Sequence, residues 1–502
     1  MGALSRRAVW IVCLFAVLGC QQTPAKQGEL RIGVAQLPMS LDPRFATDAA
    51  SHKIQQLIHR GLVKLDEHWM PQPDVARSWE HPNPLLWVFH LRHGLKFHDG
   101  SLLTAYDVQA TLLSLLDKKN ASPLRAGFAA ISVVQVMDDN TLQIHLKKPD
   151  ASLLTRLSLG VLPASYTKKK NDPHATMGCG AFKFLSWHGN DLVLQRASKS
   201  SQSNIQTLHF LRVKEAVTRS LKLVRGEIDF TQNDLPPELL PYLARQPQLH
   251  IQTKASITFS YIGMNLQDAI LKDLRVRQAL ALAINRQRLK QALLSDLPLL
   301  AETVLTPNHW AASPQILTPF NALQAEKLLD EAGFPRNAKG IRFHLTYRTS
   351  TNATRLRLAS AIADMWRKVG VDVSVESMEW GGFYARIKRG DFQVFSLSWV
   401  SIADPDIYRW ILHSSMWPPK GANRGRYANT QMDAWLDQAQ ASQNLAQRKA
   451  LYAKIQTKMK KDFVYIPLWY EPVVSVSNKK LEGFQPTSDG GFMGLLQANL
   501  HP

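Results

Sequence analysis

Three cysteines in 502 residues are too few for a disulfide framework or a thiolate metal site. There is no Gly-x-Ser-x-Gly elbow and no His-Glu-x-x-His pair, so serine hydrolases and zinc proteases lose their usual signatures and catalysis has no visible carrier. Zinc-finger spacing, a basic heptad region and an arginine-rich tail are also missing. The 60 basic against 40 acidic residues, a formal charge of +20, therefore have no nucleic-acid-binding device to organise them; an anionic ligand or an anionic membrane surface fits that charge. No apolar run is long enough to cross a bilayer, since the longest, Ala8 to Leu18, spans only about a dozen residues.

That run has the size of a secretory signal, with Arg6 and Arg7 ahead of it. It ends in Val17-Leu18-Gly19-Cys20, which looks like a lipobox, the site at which a cysteine receives a diacylglycerol and becomes the first residue. The expectation is a signal peptide over 1–19, lipidation at Cys20, a polar tether from Gln21 to Pro24, and a protein held at the periplasmic side of a bacterial membrane. Gln21, in place of Asp, leans towards outer-membrane sorting. Cys13 would leave with the signal, so only Cys179, between Gly178 and Gly180, would remain as a thiol.

The length points to two or three units, and 45% apolar residues to well-packed ones. Asp391 to Tyr408 is the informative stretch. Phe392, Val394, Phe395, Leu397 and Trp399 read as a buried strand of a parallel sheet, bounded by Gly390 and a Ser-Ile-Ala-Asp-Pro loop. Ligands of open α/β sheets sit outside the carboxyl ends of strands, which makes Trp399, Ser401, Asp404 and Asp406 candidate lining residues. A second such loop follows the strand Glu29 to Ala35 and presents Arg44 and Asp48. Upstream of Asp391, a strand Ile341–Tyr347, a helix Thr354–Val369 closed by Gly370, and a strand Val371–Met378 form a βαβ unit, with a helix Trp380–Arg389 after it.

Leu86 to Val108 reads LWVFHLRHGLKFHDGSLLTAYDV and resembles the signature of family 5 extracytoplasmic solute-binding proteins, the dipeptide, oligopeptide and nickel receptors of ABC importers. Pro73 to Glu80, Gly178 to Phe184, Arg225 to Asp229 and Tyr261 to Leu289 are similar to further elements of that family, so the resemblance covers essentially the whole mature chain. It implies a two-lobed α/β periplasmic-binding-protein fold with two segments crossing near 253–262 and 463–475. The expected parts are lobe 1 over 20–45, 161–258 and 469–502, an inserted subdomain over 46–160, and lobe 2 over 259–468. It also implies a peptide or peptide-like ligand captured by hinge closure, delivery to an ABC permease, a monomer, no catalysis and no cofactor.

In the peptide-binding members an Asp three residues beyond the strand-end Trp pairs with the peptide amino group; here Ile402 stands there, with Asp404 as its possible replacement. Trp380, Trp399, Trp417 and Trp469 offer an aromatic lining, and Arg424 with Arg426 a carboxylate site. A nickel, metal-chelate or haem receptor of the same family is the alternative solute class. A lipid-anchored hydrolase is the alternative of another kind. His90 and His93 lie three apart on a strand and face opposite ways, a poor geometry for chelation.

Overall fold

The computed structural model describes residues 27–168 and 172–501; the expected signal, Cys20 and the tether lie outside the described residues. Two long antiparallel neighbours, Leu249–Met264 and Tyr465–Asn478, occupy the centre of one eleven-stranded sheet. On one side of this pair the sheet continues through Phe230–Gln232, Glu29–Val34, Thr207–Arg212, Asp191–Arg196 and Phe182–His188. On the other it continues through Val394–Trp399, Phe343–Ser350 and Val371–Met378. The central ladder runs from Leu249 opposite Asn478 to Ala255 opposite Pro472, breaks, and resumes with Phe259 opposite Tyr470. Residues 256–258 are the break, and the apolar cores divide on either side of it. Leu30, Ile32, Phe182, Leu208 and Phe230 pack in one cluster, while Ile262, Leu345, Ile362, Trp366 and Val394 pack in another.

The second lobe follows from its periodicity. Asn352 caps the helix Ala353–Lys368 by accepting from the Arg355 amide, and Ala359, Ile362, Ala363 and Trp366 face the sheet at helical spacing. Gly370 then turns the chain at φ +90° into Val371–Met378, which runs parallel to Phe343–Ser350. The strand Val394–Trp399 is central, as its apolar run implies, but its surroundings are mixed: parallel to Phe343–Ser350 and antiparallel to Leu249–Met264. A strand beside the crossing ribbon takes the ribbon's opposite direction, which the local pattern does not reveal.

The lower bound expected for the inserted unit is corrected. The inserted unit, a four-stranded antiparallel sheet covered by the helix Ala105–Leu116, has its core from Leu62 to Val161, not from 46: the helix Ala49–Ile58 packs Ile54, Leu57 and Ile58 onto Leu30 and Ile32 instead. Asp273 caps the helix Leu274–Leu282 by accepting from the Arg275 amide, and Val276, Ala279 and Leu280 lie on its buried face. Gly178 and Gly180 serve close approach. A Cβ would lie 2.0 Å from the Ile58 carbonyl oxygen at Gly178 and 2.5 Å from that of Leu57 at Gly180, whose own amide donates to Ile58 at 2.7 Å.

A methyl group at Gly178 would meet the Ile58 backbone first, at 2.0 Å, and the His59 ring next, at 2.9 Å. Gly178→Ala should therefore cost about 1–3 kcal/mol of stability, read as a lowered urea midpoint, while an alanine at the open Gly94 turn should not produce a clash of this kind.

Candidate functional site

Where the central ladder breaks, the two lobes enclose a cavity of about 830 Å³. Ser256, Thr258 and Ser260 of one crossing strand and Glu471 and Pro472 of the other form its floor. Glu471 gathers the second lobe's polar groups: its Oε1 accepts from Ser260 Oγ at 2.6 Å, Ser398 Oγ at 2.7 Å and the Arg355 guanidinium at 3.3 Å. Arg355, in the first turn of its helix, also donates to Ser398 Oγ at 2.9 Å. Both charged side chains keep about a third of their surface in the cavity, 29% and 37%, so water screens the pair and its value is chiefly orientation.

The first lobe supplies Lys53 from the helix Ala49–Ile58, Asn233 and Asp234 from the turn after Phe230–Gln232, and Asp489. Burial pushes the Lys53 ammonium below the usual lysine range, with Asp234 and Asp489 pulling the other way. Asp489 is already engaged, accepting from Thr487 Oγ1 at 2.5 Å, the Gly491 amide at 2.9 Å and Gln56 Nε2 at 2.9 Å.

Of the residues expected at the site, Asp48, Ser401 and Trp469 line this cavity. Asp48 caps its helix, accepting from the Ser51 amide at 2.9 Å and from the Ser51 hydroxyl. Ser401 holds the left-handed conformation, φ +55°, at the mouth of the loop.

The others are placed elsewhere. Arg44 is buried and consumed by Asp42 at 2.6 Å, Ser114 Oγ at 3.1 Å and the Thr167 carbonyl at 3.1 Å. Trp399 and Arg424 stack on one another, 4.3 Å from guanidinium to ring, behind the cavity wall; Arg424 donates to the Tyr261 and Tyr384 hydroxyls, each at 3.1 Å. Trp380, half exposed, lies flat on Tyr384 with centroids 5.5 Å apart. Trp417 donates to the Tyr427 carbonyl at 3.1 Å. Asp404 does not replace the missing acid at the buried Ile402: it accepts from Ser152 Oγ and from the Asp406 amide, both at 2.8 Å. Burial, and then Asp404, push the Asp406 carboxyl up, and it binds the Tyr452 hydroxyl away from the cavity.

Sequence reading missed Lys53, Asn233, Arg355 and Glu471. Glu471 carried a signal, as the lone acid in the apolar run from Tyr465 to Val476. Burial pushes the Cys179 thiol up to about 11, which disfavours the thiolate. Among the described residues, no three His, Cys, Asp or Glu side chains cluster so as to hold a metal, and no helix is long and apolar enough to cross a membrane.

Residues 70–417 match the model of bacterial extracellular solute-binding proteins, family 5. The chain belongs to that family. It is 28% identical over 471 residues to the periplasmic oligopeptide-binding protein OppA of Salmonella typhimurium, covering 86% of this chain and 85% of OppA. Among solved structures, NikZ of Campylobacter jejuni in complex with Ni(L-His) is 25% identical, with TM-score 0.78, covering 94% of this chain and all of NikZ. The oligopeptide-binding protein AppA of Bacillus subtilis, in complex with a nonapeptide, is 25% identical with TM-score 0.75, covering 95% of this chain and 99% of AppA. As a family 5 protein, the chain shares the two-lobed α/β fold of these structures.

His309 supports the Ser401 to Asp406 loop, with Nε2 3.3 Å from the Ala403 carbonyl and Nδ1 accepting from the Ala311 amide at 3.1 Å. Burial lowers it to about 4, so between that value and the unfolded pKa of 6.5 the unfolded chain binds more protons. Stability contributed by neutral His309 is complete above pH 6.5 and is lost as pH falls through that window. Melting temperature should drop between pH 7 and 5, and His309→Gln should show a smaller drop.

Proposed function

We propose that this chain is the solute receptor of an ABC importer and that it captures a short peptide or peptide-like solute in the cavity between its lobes. The observation that carries this reading is the enclosed cavity at the break of the crossing ladder, walled by charged side chains of both signs, Lys53 and Arg355 against Asp234 and Glu471. Its volume suits a solute of a few residues. OppA is named for oligopeptides and AppA holds a nonapeptide, which favours peptides as the solute class.

Both lobes touch whatever fills the cavity, so a bound solute favours the closed arrangement by its contacts there. Several contacts already bridge the lobes: Arg357 pairs with Glu238, Ser295 Oγ donates to the Pro237 carbonyl at 3.3 Å, and His68 Nδ1 lies 2.9 Å from the Asn308 carbonyl. We take the lobe boundaries to fall near 258 and 468, beside the ladder break. The anionic end of the solute is read by cations other than Arg424 and Arg426, because Arg424 is enclosed by aromatic rings and Arg426 donates to the Arg389 carbonyl. Lipid anchoring through Cys20 at the periplasmic side, a monomeric state, delivery to a membrane permease and the lack of catalysis complete this reading. The relatives above are named as binding proteins, which favours a receptor over a hydrolase.

Mass spectrometry of solute released on denaturing the purified protein should find peptides, and tetra-alanine should raise its melting temperature. Arg355→Ala should weaken tetra-alanine binding at least about tenfold, roughly 1.4 kcal/mol. Stabilisation by uncharged sugars alone would sink the peptide reading, and nickel or haem in the purified protein would favour the NikZ-like alternative.

A further inference from the structure

Two nitrogen donors meet over a residue with no side chain at the first-lobe end of the cavity. A Cβ built on Gly490 would lie 2.9 Å from Asn233 Nδ2 and 3.2 Å from Lys53 Nζ, so both donors crowd the space that a side chain there would fill. Among the described residues neither nitrogen makes a direct hydrogen bond or ion pair, and the Asp234 and Asp489 carboxylates act on Lys53 only from farther off.

The Asn233 amide has a defined orientation. Its backbone N–H donates to the Val474 carbonyl at 2.7 Å and its Oδ1 accepts the Val474 N–H at 3.1 Å, which leaves Nδ2 as the free end. Asn233 sits at φ +61°, a left-handed position that asparagine tolerates. Gly490, at φ +65°, is pinned by Gln232, whose Nε2 donates to its carbonyl at 2.6 Å. The oxygens of Asp489 already accept from Thr487, Gly491 and Gln56. A half-buried ammonium beside a fixed N–H donor, neither of them directly hydrogen-bonded, offers an anion two converging donors.

Resting on the peptide reading above, we propose that Lys53 Nζ and Asn233 Nδ2, held over Gly490, bind the carboxylate end of the solute. The first lobe then reads the solute's negative end, and it does so beside the second crossing strand, to which Asn233 is bonded. Arg355 and Glu471 are left to read the remainder of the solute from the other wall.

The test uses isothermal titration of the ligand-stripped protein with two probes, tetra-alanine with a free carboxylate and tetra-alanine amide. The wild type should prefer the acid at least about tenfold, as for a charge-assisted pair. Lys53→Gln should bring the two affinities together, while Lys53→Arg should keep most of the preference. Asn233→Asp retains the acceptor for Val474 but exchanges the free N–H donor for a carboxylate oxygen, and should reverse the preference. Melting curves establish that each variant is folded. Equal wild-type affinities, or an acid preference that survives Lys53→Gln in a folded variant, would overturn the carboxylate site and leave the peptide reading standing. Binding of neither probe by the wild type would overturn the peptide reading and this site together.

Discussion

The antiparallel ladder between Leu249–Met264 and Tyr465–Asn478 is the constraint on which the molecule depends, because these strands carry the chain between its lobes. A continuous ladder would weld the lobes into one rigid sheet. Here pairing lapses between Ala255 and Phe259, and Pro472, opposite Ala255, brings no backbone N–H to the ladder. The interrupted backbone still finds partners: Thr258 N–H donates to Ser256 Oγ at 3.0 Å and Ile257 N–H to the Ser488 carbonyl at 3.1 Å. Such substitutes satisfy buried polar groups without the cooperativity of a ladder. The hollow lies where the sheet's pairing fails.

The same break decides which polar groups face the solute. Side chains alternate along a strand, so Ser260 and Glu471, on facing strands beside the lapse, converge on the cavity floor and meet Ser398 from the neighbouring strand. Arg355 reaches them because its helix starts at the carboxyl end of Phe343–Ser350, where parallel α/β units place their binding residues. A chain with a large positive charge thus presents a lining of both signs. Net charge governs how the surface meets solutes and membranes, whereas selectivity depends on these few oriented groups.

Much of the second lobe was legible from its sequence. Asn321 and Asp273 mark helix starts by their capping chemistry, and Trp366 with Ile362 and Ala359 sets the period of the helix they share. The first lobe's helix Ala49–Ile58 was legible as a helix but not in its allegiance, since an apolar stripe does not say which core it meets. The candidate site was legible in part, for related reasons. Asp48 and Ser401 stand at strand ends, which are local features. Arg44 and Asp404 stand there too, yet Asp42, two residues from Arg44, and Ser152, some 250 residues from Asp404, withdraw them. Trp399 has the expected strand-end position, but its ring packs against Tyr261 and Arg424 within the lobe. Lys53 and Asn233 gave no local sign because Gly490, the residue that brings their importance to light, joins them only through the tertiary fold.

The side-chain contacts that bridge the lobes are individually weak. Arg357 and Glu238 are each about half exposed, 47% and 49%, and an ion pair in that setting contributes about 1 kcal/mol or less. The His68 contact with Asn308 is exposed as well, and Ser152 with Asp404 is a single partly buried hydrogen bond. The Ala151 amide adds a bond to the Gln440 carbonyl at 3.2 Å and the Trp310 amide one to the His68 carbonyl at 3.1 Å. A solute shifts an equilibrium between open and closed lobes only by what it gains in the closed form. On the reading proposed above that gain comes from both walls, since a solute would reach Lys53 and Asn233 on one side and Arg355 on the other only when both lobes meet it together.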